Sequence, residues 1–385
     1  MRRGFTIIEV LISTTLTLLL IGAIAKIFGS VGEGINTARG TLEMCSALRD
    51  ATSTLERDLE GVTVTTMPPQ RYGGYFEVIE GPADDTPGGP KTPTAHNEVG
   101  PGGDATVGDV DDILMFTTRS ANRPFQGSTS AGSFQSELAE VVWFLRGNKL
   151  YRRTLLIKPG YPGSNPGSED ISASKASGSW KANSLDELCD RKNRYGHAIA
   201  YPHDSRGWGV GRMPALGDGA DSSSPNPSVA TIPSPFDYWY DSCGATGARA
   251  EQDVILTNVL SFDVKVLDPD ANGGAGAYVD LGKGAGRFGT TGEDSRSKLA
   301  GGTTKIYDTW FAGYENDGIA QGGGKVDPAA DGIDDNNRCG PDDEGENETF
   351  APYPYPLRGI QVTIRVFDVT SGEVRELVVS GDFAP

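Results

Sequence analysis

From Phe5 to Phe28 the chain reads FTIIEVLISTTLTLLLIGAIAKIF, an apolar run in which Glu9 and Lys26 are the only charges. Fourteen of these positions are Phe, Ile, Leu or Val. Their insertion gain of roughly 0.3–0.6 kcal/mol each outweighs one acid at about 3 kcal/mol, and the run is long enough to cross a bilayer as a helix. From Ile35 the pattern changes. Ile35, Ala38, Leu42, Cys45, Leu48, Thr52, Leu55, Leu59 and Val62 recur at three-to-four spacing, with Glu43, Arg49, Asp50, Glu56 and Arg57 mostly on other faces. That is the apolar stripe of an amphipathic helix. The two patterns together predict a helix from Phe5 to Glu60, 56 residues and about 84 Å long, ending before Met67-Pro68-Pro69. Gly29, Gly32, Gly34 and Gly40 each cost about 1 kcal/mol against Ala, so a loosened or broken segment is expected around them.

Beyond the helix the period shortens to two. Asp112–Arg119 is a strand candidate. Glu140–Arg146 and Lys149–Leu156, joined by Gly147-Asn148, read as a β-hairpin. Val254–Leu267 contains Phe262–Leu267, which alternates with a period of two, and Ile360–Phe367 turns at Ser371-Gly372 into Arg375–Val379. A long N-terminal helix followed by antiparallel strands is an α+β pattern, with the stripe covering a sheet. Two long insertions interrupt it. Residues 158–250 are rich in Gly, Ser and Pro yet carry Trp180, Trp208 and Trp239, which marks an ordered excursion with a short helix within Ser184–Asn193. Residues 268–356 are richer in Gly and Asp and are expected to be looser.

Composition narrows the classes. Glycine (52) and proline (24) make up close to a fifth of the 385 residues, which argues against an all-helical protein. A net charge of −18 speaks against nucleic-acid binding through a basic footprint. Four cysteines exclude a disulfide-dense scaffold. Arg2 and Arg3 precede the apolar run and no basic pair follows closely, so the N-terminus is expected in the cytoplasm and the rest outside it. A cleavable secretory signal peptide is the rival reading, since Ala23-Ile24-Ala25 is an A-x-A site. Against it stands Glu9, about 6 Å into the helix from Phe5, because an intramembrane acid needs a partner and a signal peptide gains nothing from one.

Arg3-Gly4-Phe5-Thr6-Ile7-Ile8-Glu9-Val10-Leu11 resembles the class III signal of type IV pilins and type II secretion pseudopilins. The resemblance implies cleavage by a prepilin peptidase between Gly4 and Phe5, N-methylation of Phe5, and pairing of Glu9 with a neighbouring subunit's N-terminal amine during assembly. A carboxylate in lipid is tolerable beside such a counter-charge at the same depth. The division that follows is a leader at 1–4, a transmembrane helix at 5–28, its amphipathic continuation at 29–66, and a β-rich periplasmic domain at 67–385.

Four further segments resemble the J-type minor pseudopilin of type II secretion systems: Leu55-Glu-Arg-Asp-Leu59 at the helix end, the Val141–Arg153 hairpin with Leu150-Tyr-Arg-Arg153, the Asn258–Lys265 strand, and Pro356–Ile364. The insertions make this chain longer than the usual member, and similar helix ends occur in PilW-type minor pilins. The resemblance implies the pilin fold and a non-catalytic subunit at the tip of a pseudopilus. It would be anchored in the inner membrane and act in protein secretion with other minor and major pseudopilins, the prepilin peptidase and the inner-membrane assembly platform. A minor pilin of a type IV pilus is the neighbouring reading, and a membrane-tethered extracytoplasmic enzyme the rival from another class.

The chemistry expected of an enzyme is thin. His96, His197 and His203 are the only histidines and form no H-E-x-x-H, and neither a G-x-S-x-G elbow nor a P-loop occurs. Ser172-Ala-Ser-Lys175 matches S-x-x-K, at the level chance allows in a Ser-rich loop. Cys45 reads as a small apolar residue on the helix, and Cys189–Cys243 is the disulfide expected to close the first insertion. Asp327 to Glu348 holds nine acids against one base, Arg338. Asp331, Asp334, Asp335, Asn337, Asp342 and Asp343 supply closely spaced oxygens, so calcium is the one candidate cofactor. The spacing departs from an EF-hand, and a solvated acidic loop is the competing reading.

Overall fold

The computed structural model describes residues 6–67, 73–80, 112–146, 148–164, 169–176, 179–189, 193–195, 253–282, 286–289, 292–293, 303–304, 306–309, 353, 355–369 and 371–383. Helix α1 spans Ile7–Glu60, 54 residues without a break. The glycines therefore do not interrupt it. Breaking a helix forfeits several hydrogen bonds and requires a second costly nucleation, which outweighs a propensity penalty of about 1 kcal/mol per glycine. The helix stops at Gly61, whose N–H bonds back to the Leu59 carbonyl. A Cβ at Gly61 would lie 2.3 Å from both Arg119 O and Thr118 Oγ1, so only glycine lets the helix end dock here.

The strands follow in chain order. They are β1 (Phe76–Ile79), β2 (Ile113–Arg119), β3 (Phe125–Thr129), β4 (Gly132–Ser136), β5 (Leu138–Arg146), β6 (Lys149–Leu156), β7 (Ala173–Ala176) and β8 (Ser179–Ala182). After the short helix α2 (Leu185–Cys189) come β9 (Val254–Thr257), β10 (Val259–Asp268), β11 (Ala277–Val279), β12 (Gly292–Glu293), β13 (Thr303–Thr304), β14 (Ile306–Asp308), β15 (Gly359–Phe367) and β16 (Val374–Asp382). A six-stranded sheet has the order β14-β1-β2-β5-β6-β9, and a four-stranded sheet β11-β10-β15-β16; β3-β4, β7-β8 and β12-β13 are two-stranded. All these strand pairs are antiparallel. The fold is α+β.

The expected hairpin is present, with Arg146 paired to Lys149, and so is the closing one, with Phe367 paired to Val374. Val254–Leu267 divides between β9 and β10, and the alternating Phe262–Leu267 lies in β10. Asn258 adopts φ 57°, a conformation Asn tolerates, and there the chain leaves one sheet for the other. Its carbonyl accepts from Phe367 N at 2.8 Å, while Val259 N donates to Asn148 O at 2.9 Å.

One core joins the helix to both sheets. Leu48, Ala51, Leu55 and Leu59 of α1 pack with Leu114 and Phe116 of β2, Val141 and Trp143 of β5, Phe262 and Val264 of β10, and Ile360, Val362 and Ile364 of β15. The alternate residues of the six-stranded sheet, among them Ile113, Met115, Val142, Phe144 and Tyr151, face a second core closed by Leu188, Cys189 and Tyr195 of the first insertion. Burial on both faces explains why β2 reads Ile-Leu-Met-Phe without a polar alternate.

The described residues of the second insertion join the rest of the fold. Its β14 pairs with β1, and Leu281, Phe288, Tyr307 and Tyr353 enter the main core. The buried Asp268 carboxylate accepts from Asp270 N, Phe288 N and Gly289 N at 2.9, 2.8 and 3.2 Å, which helps fix a Gly-rich turn beside the buried Phe288.

Candidate functional site

The apolar helix start is built to stand alone in an apolar medium. Thr6 and Glu9 form a capping box: Glu9 N donates to Thr6 Oγ1 at 3.3 Å, while the Glu9 carboxylate accepts from Thr6 N and the Thr6 hydroxyl, both at 2.9 Å. Ser13 and Thr14 hydroxyls donate to Val10 O, Thr15 to Leu11 O and Thr17 to Ser13 O, at 2.7–3.0 Å. Every polar side chain in that stretch is thus satisfied within the helix, as lipid requires. The segment is long and apolar enough to cross a membrane, and none of it is buried in the protein.

The stripe read from the sequence does not form one buried face. Ile35 and Leu42 are 62% and 71% exposed, Ala38 is exposed and Cys45 half-buried; burial begins at Leu48. Ile21, Ile24, Phe28, Val31, Ile35, Ala38, Leu42 and Cys45 alternate at spacings of three and four, a 3.5-residue repeat. At Cys45 the phase shifts, and Leu48, Thr52, Leu55 and Leu59 carry the stripe onto the sheet. At about 100° per residue, Leu42 lies about 140° and Ile35 about 160° around the axis from Leu55. The helix therefore has two seams, one on its own domain and one turned away from it. Gly32 and Gly34 flank the outward seam, and a Cβ at either would meet no atom within 4 Å.

Where α1 meets the sheets a charge is buried. Asp58 Oδ2 accepts from Trp143 Nε1 at 3.0 Å and from Arg152 Nε at 2.7 Å, and Asp58 Oδ1 from Arg152 Nη2 at 2.7 Å. The Arg152 guanidinium also lies 5.9 Å from the Trp143 ring, and Thr118 Oγ1 donates to Asp58 O at 2.8 Å. Sequence reading gave Asp58 no such role, because its partners stand 85 and 94 residues away.

A second ionic cluster lies on the far face of the six-stranded sheet. Arg194 is fully buried; its Nη1 bonds Glu77 Oε2 at 2.9 Å and Asp308 Oδ1 at 3.0 Å, and its Nε and Nη2 reach the Leu188 and Cys189 carbonyls. The guanidinium sits 4.1 Å from the Tyr75 ring. Glu140, also buried, accepts from the Tyr75 hydroxyl, Ser172 Oγ and Tyr195 N at 2.7–2.8 Å. Burial, and then the Glu140 charge, push the Tyr75 hydroxyl well above its ordinary range, so it remains a donor. Ser172 of the S-x-x-K match is spent here, donating to Glu140 and accepting from Asn183.

Glu9 is the one predicted assembly residue among those described; Gly4 and Phe5 lie outside them. So do His96, His197, His203, Cys243 and Cys339, and Asp331, Asp334, Asp335, Asn337, Asp342 and Asp343 of the calcium expectation. Among the described residues no group of three or more His, Cys, Asp or Glu could hold a metal ion. Cys189 is buried on α2, its Sγ 3.3 Å from Gly74 O. Ser184 and Glu187 cap α2 reciprocally, an S-x-x-E capping box. The chain matches no protein-family model, no curated protein sequence and no solved structure.

Proposed function

We propose that the chain is a minor pseudopilin, most like the J-type, which enters a type II secretion pseudopilus through its N-terminal helix. It is anchored in the inner membrane with a cytoplasmic N-terminus and a periplasmic domain of pilin fold. The outward seam carries this reading: apolar positions on a 3.5-residue repeat run from the membrane-length segment to Leu42, uncovered by the chain's own domain. Such a seam suits another helix. Glu9 supports it from the other end. Among the described residues the carboxylate is held by Thr6 alone, a local partner that a neighbour's amine could replace. Docking then removes Glu9's charge cost and covers the seam together.

N-terminal sequencing of the membrane-purified protein tests the reading. The expected residue is methylated Phe5, and co-purification with other pseudopilins should be lost in Glu9→Leu while insertion and processing persist. A mature N-terminus at Lys26 would overturn it.

A further inference from the structure

We propose that Asp58, acting through Arg152 and Trp143, is a positioning residue that fixes the azimuth and tilt of α1, and so decides which face of the uncovered helix meets a neighbouring subunit. The proposal rests on the assembly reading above for its purpose, though its geometry does not. The buried helix residues all fall between Leu48 and Leu59. Ahead of them run 41 residues, Ile7 to Ala47, about 62 Å of helix held at one end. A tilt of about 10° at the anchor would carry the far end sideways by about 11 Å, and a one-residue change of rotation would turn the seam by about 100°.

Apolar contact opposes the full one-residue rotation, which would expose Leu48, Leu55 and Leu59, but not smaller errors of azimuth and tilt. Leu48, Ala51, Leu55 and Leu59 press on a broad apolar core, and that attraction is non-directional. The Asp58–Arg152 pair is different: both carboxylate oxygens meet the planar guanidinium fork at 2.7 Å, and Trp143 Nε1 fixes the same carboxylate from β5. A buried charge adds little net stability over apolar replacement, and its best-attested use is to select one register. Gly61, pressed against Arg119 O and Thr118 Oγ1, bars sliding at the helix end. The result shows about two turns beyond the buried stretch, where Thr41 Oγ1 lies 3.5 Å from Asp368 Oδ2 at the β15–β16 turn while Leu42 faces outward.

The test reads azimuth directly in the full-length membrane protein with Cys45→Ser. Cysteine replaces Asp368 together with either Thr41 or Leu42. The bonds Asp368 N to Glu373 O and Gly372 N to Asp368 O that close the turn are backbone and survive. A short thiol cross-linker is applied, and linked peptides are identified by mass spectrometry. With Asp58 intact, the 41–368 pair should link at least ten-fold more than the 42–368 pair. Asp58→Leu with Arg152→Met, which removes both charges together, should unfold cooperatively yet link both pairs within three-fold of each other. Arg152→Lys, which keeps the charge but loses the fork, should relax the preference part-way, and Asp58→Asn should retain most of it. A folded double variant that still links only through position 41 overturns the proposal. If that variant does not fold, Arg152→Lys decides, and an unchanged ten-fold preference there overturns it equally. This read-out is intramolecular, so it stands even if the mature N-terminus refutes the assembly reading. Loss of co-purification in the double variant, with Phe5 processed normally, ties the azimuth to assembly.

Discussion

Replacing Arg194 by Met should destabilise the globular part by about 3–5 kcal/mol, the usual cost of removing one partner from a buried ion pair. Arg194, Glu77 and Asp308 have no solvent exposure at their side chains, and a single nitrogen, Nη1, bonds both acids at 2.9 and 3.0 Å. Methionine matches the length of the arginine stem and stays over the Tyr75 ring, so little packing volume is lost. The loss is electrostatic: two carboxylates remain in the interior without the cation between them, and the Leu188 and Cys189 carbonyls each lose a donor. Against a typical domain stability of about 5–15 kcal/mol, the change is roughly a fifth or more of the whole. Urea unfolding followed by tryptophan fluorescence should show it. With a slope of about 3 kcal/mol/M the midpoint falls by roughly 1–1.7 M. Adding Glu77→Gln and Asp308→Asn removes the two acidic charges that faced Arg194 and should restore at least half of the shift. A single variant within about 1 kcal/mol of the parent would refute the argument, because the acids would then have to be neutral or hydrated in the native state.

Gly61→Ala forces a Cβ to within 2.3 Å of two oxygens on β2 and should cost about 1–3 kcal/mol, read as a fall in Tm of several degrees. Burial tends to raise the Glu187 carboxyl, but Lys181 and the Ser184 donors hold it below its ordinary value of 4.5. Its stabilising effect is therefore complete above that value and lost as pH falls through the depressed one, so amide exchange across α2 should accelerate on acidification and lose this pH dependence in Glu187→Gln. Gly4→Leu should leave the four-residue leader attached, visible in the intact mass, because a bulky residue would block a peptidase that cuts after glycine.

The elements legible in the sequence are those whose pattern is local. The 54-residue helix, the β5–β6 and β15–β16 hairpins and β2 all announce themselves through apolar spacing and turn residues. The stripe from Ile35 to Val62 was legible as apolar, but a three-to-four spacing does not say what each part faces; one three-residue step at Cys45–Leu48 turned the first half away from the sheet. β1 and β14 were missed for another reason. Each is a short strand of three or four residues lodged among glycines, and each exists because a long-range partner supplies its hydrogen bonds. Glu9 was the most conspicuous residue in the sequence, since a lone acid in an apolar run stands out; the Thr6 capping box gives its carboxylate a local partner that the pattern alone did not reveal.

The ionic clusters were illegible for a reason that bears on how the chain is built. Arg194 stands 117 residues from Glu77 and 114 from Asp308, as far beyond any periodicity as Asp58 is from Arg152. Yet composition foreshadowed the need for them. The far face of the six-stranded sheet is apolar and must be covered, and the segment that covers it is drawn from an insertion rich in Gly, Ser and Pro. Among the described residues, Leu188, Cys189 and Tyr195 are the buried apolar residues it brings to that face. Such apolar contacts do not by themselves fix the segment's place on it, because apolar contact sets no direction. Charge and hydrogen bonds supply the direction: Arg194 to two strands, Tyr195 N and Ser172 to Glu140, Asn183 to Ser172. The helix is held by the same device, with a short apolar anchor and one buried carboxylate. In both places an element with little apolar area to spend is given a single orientation by polar groups that local sequence cannot pair.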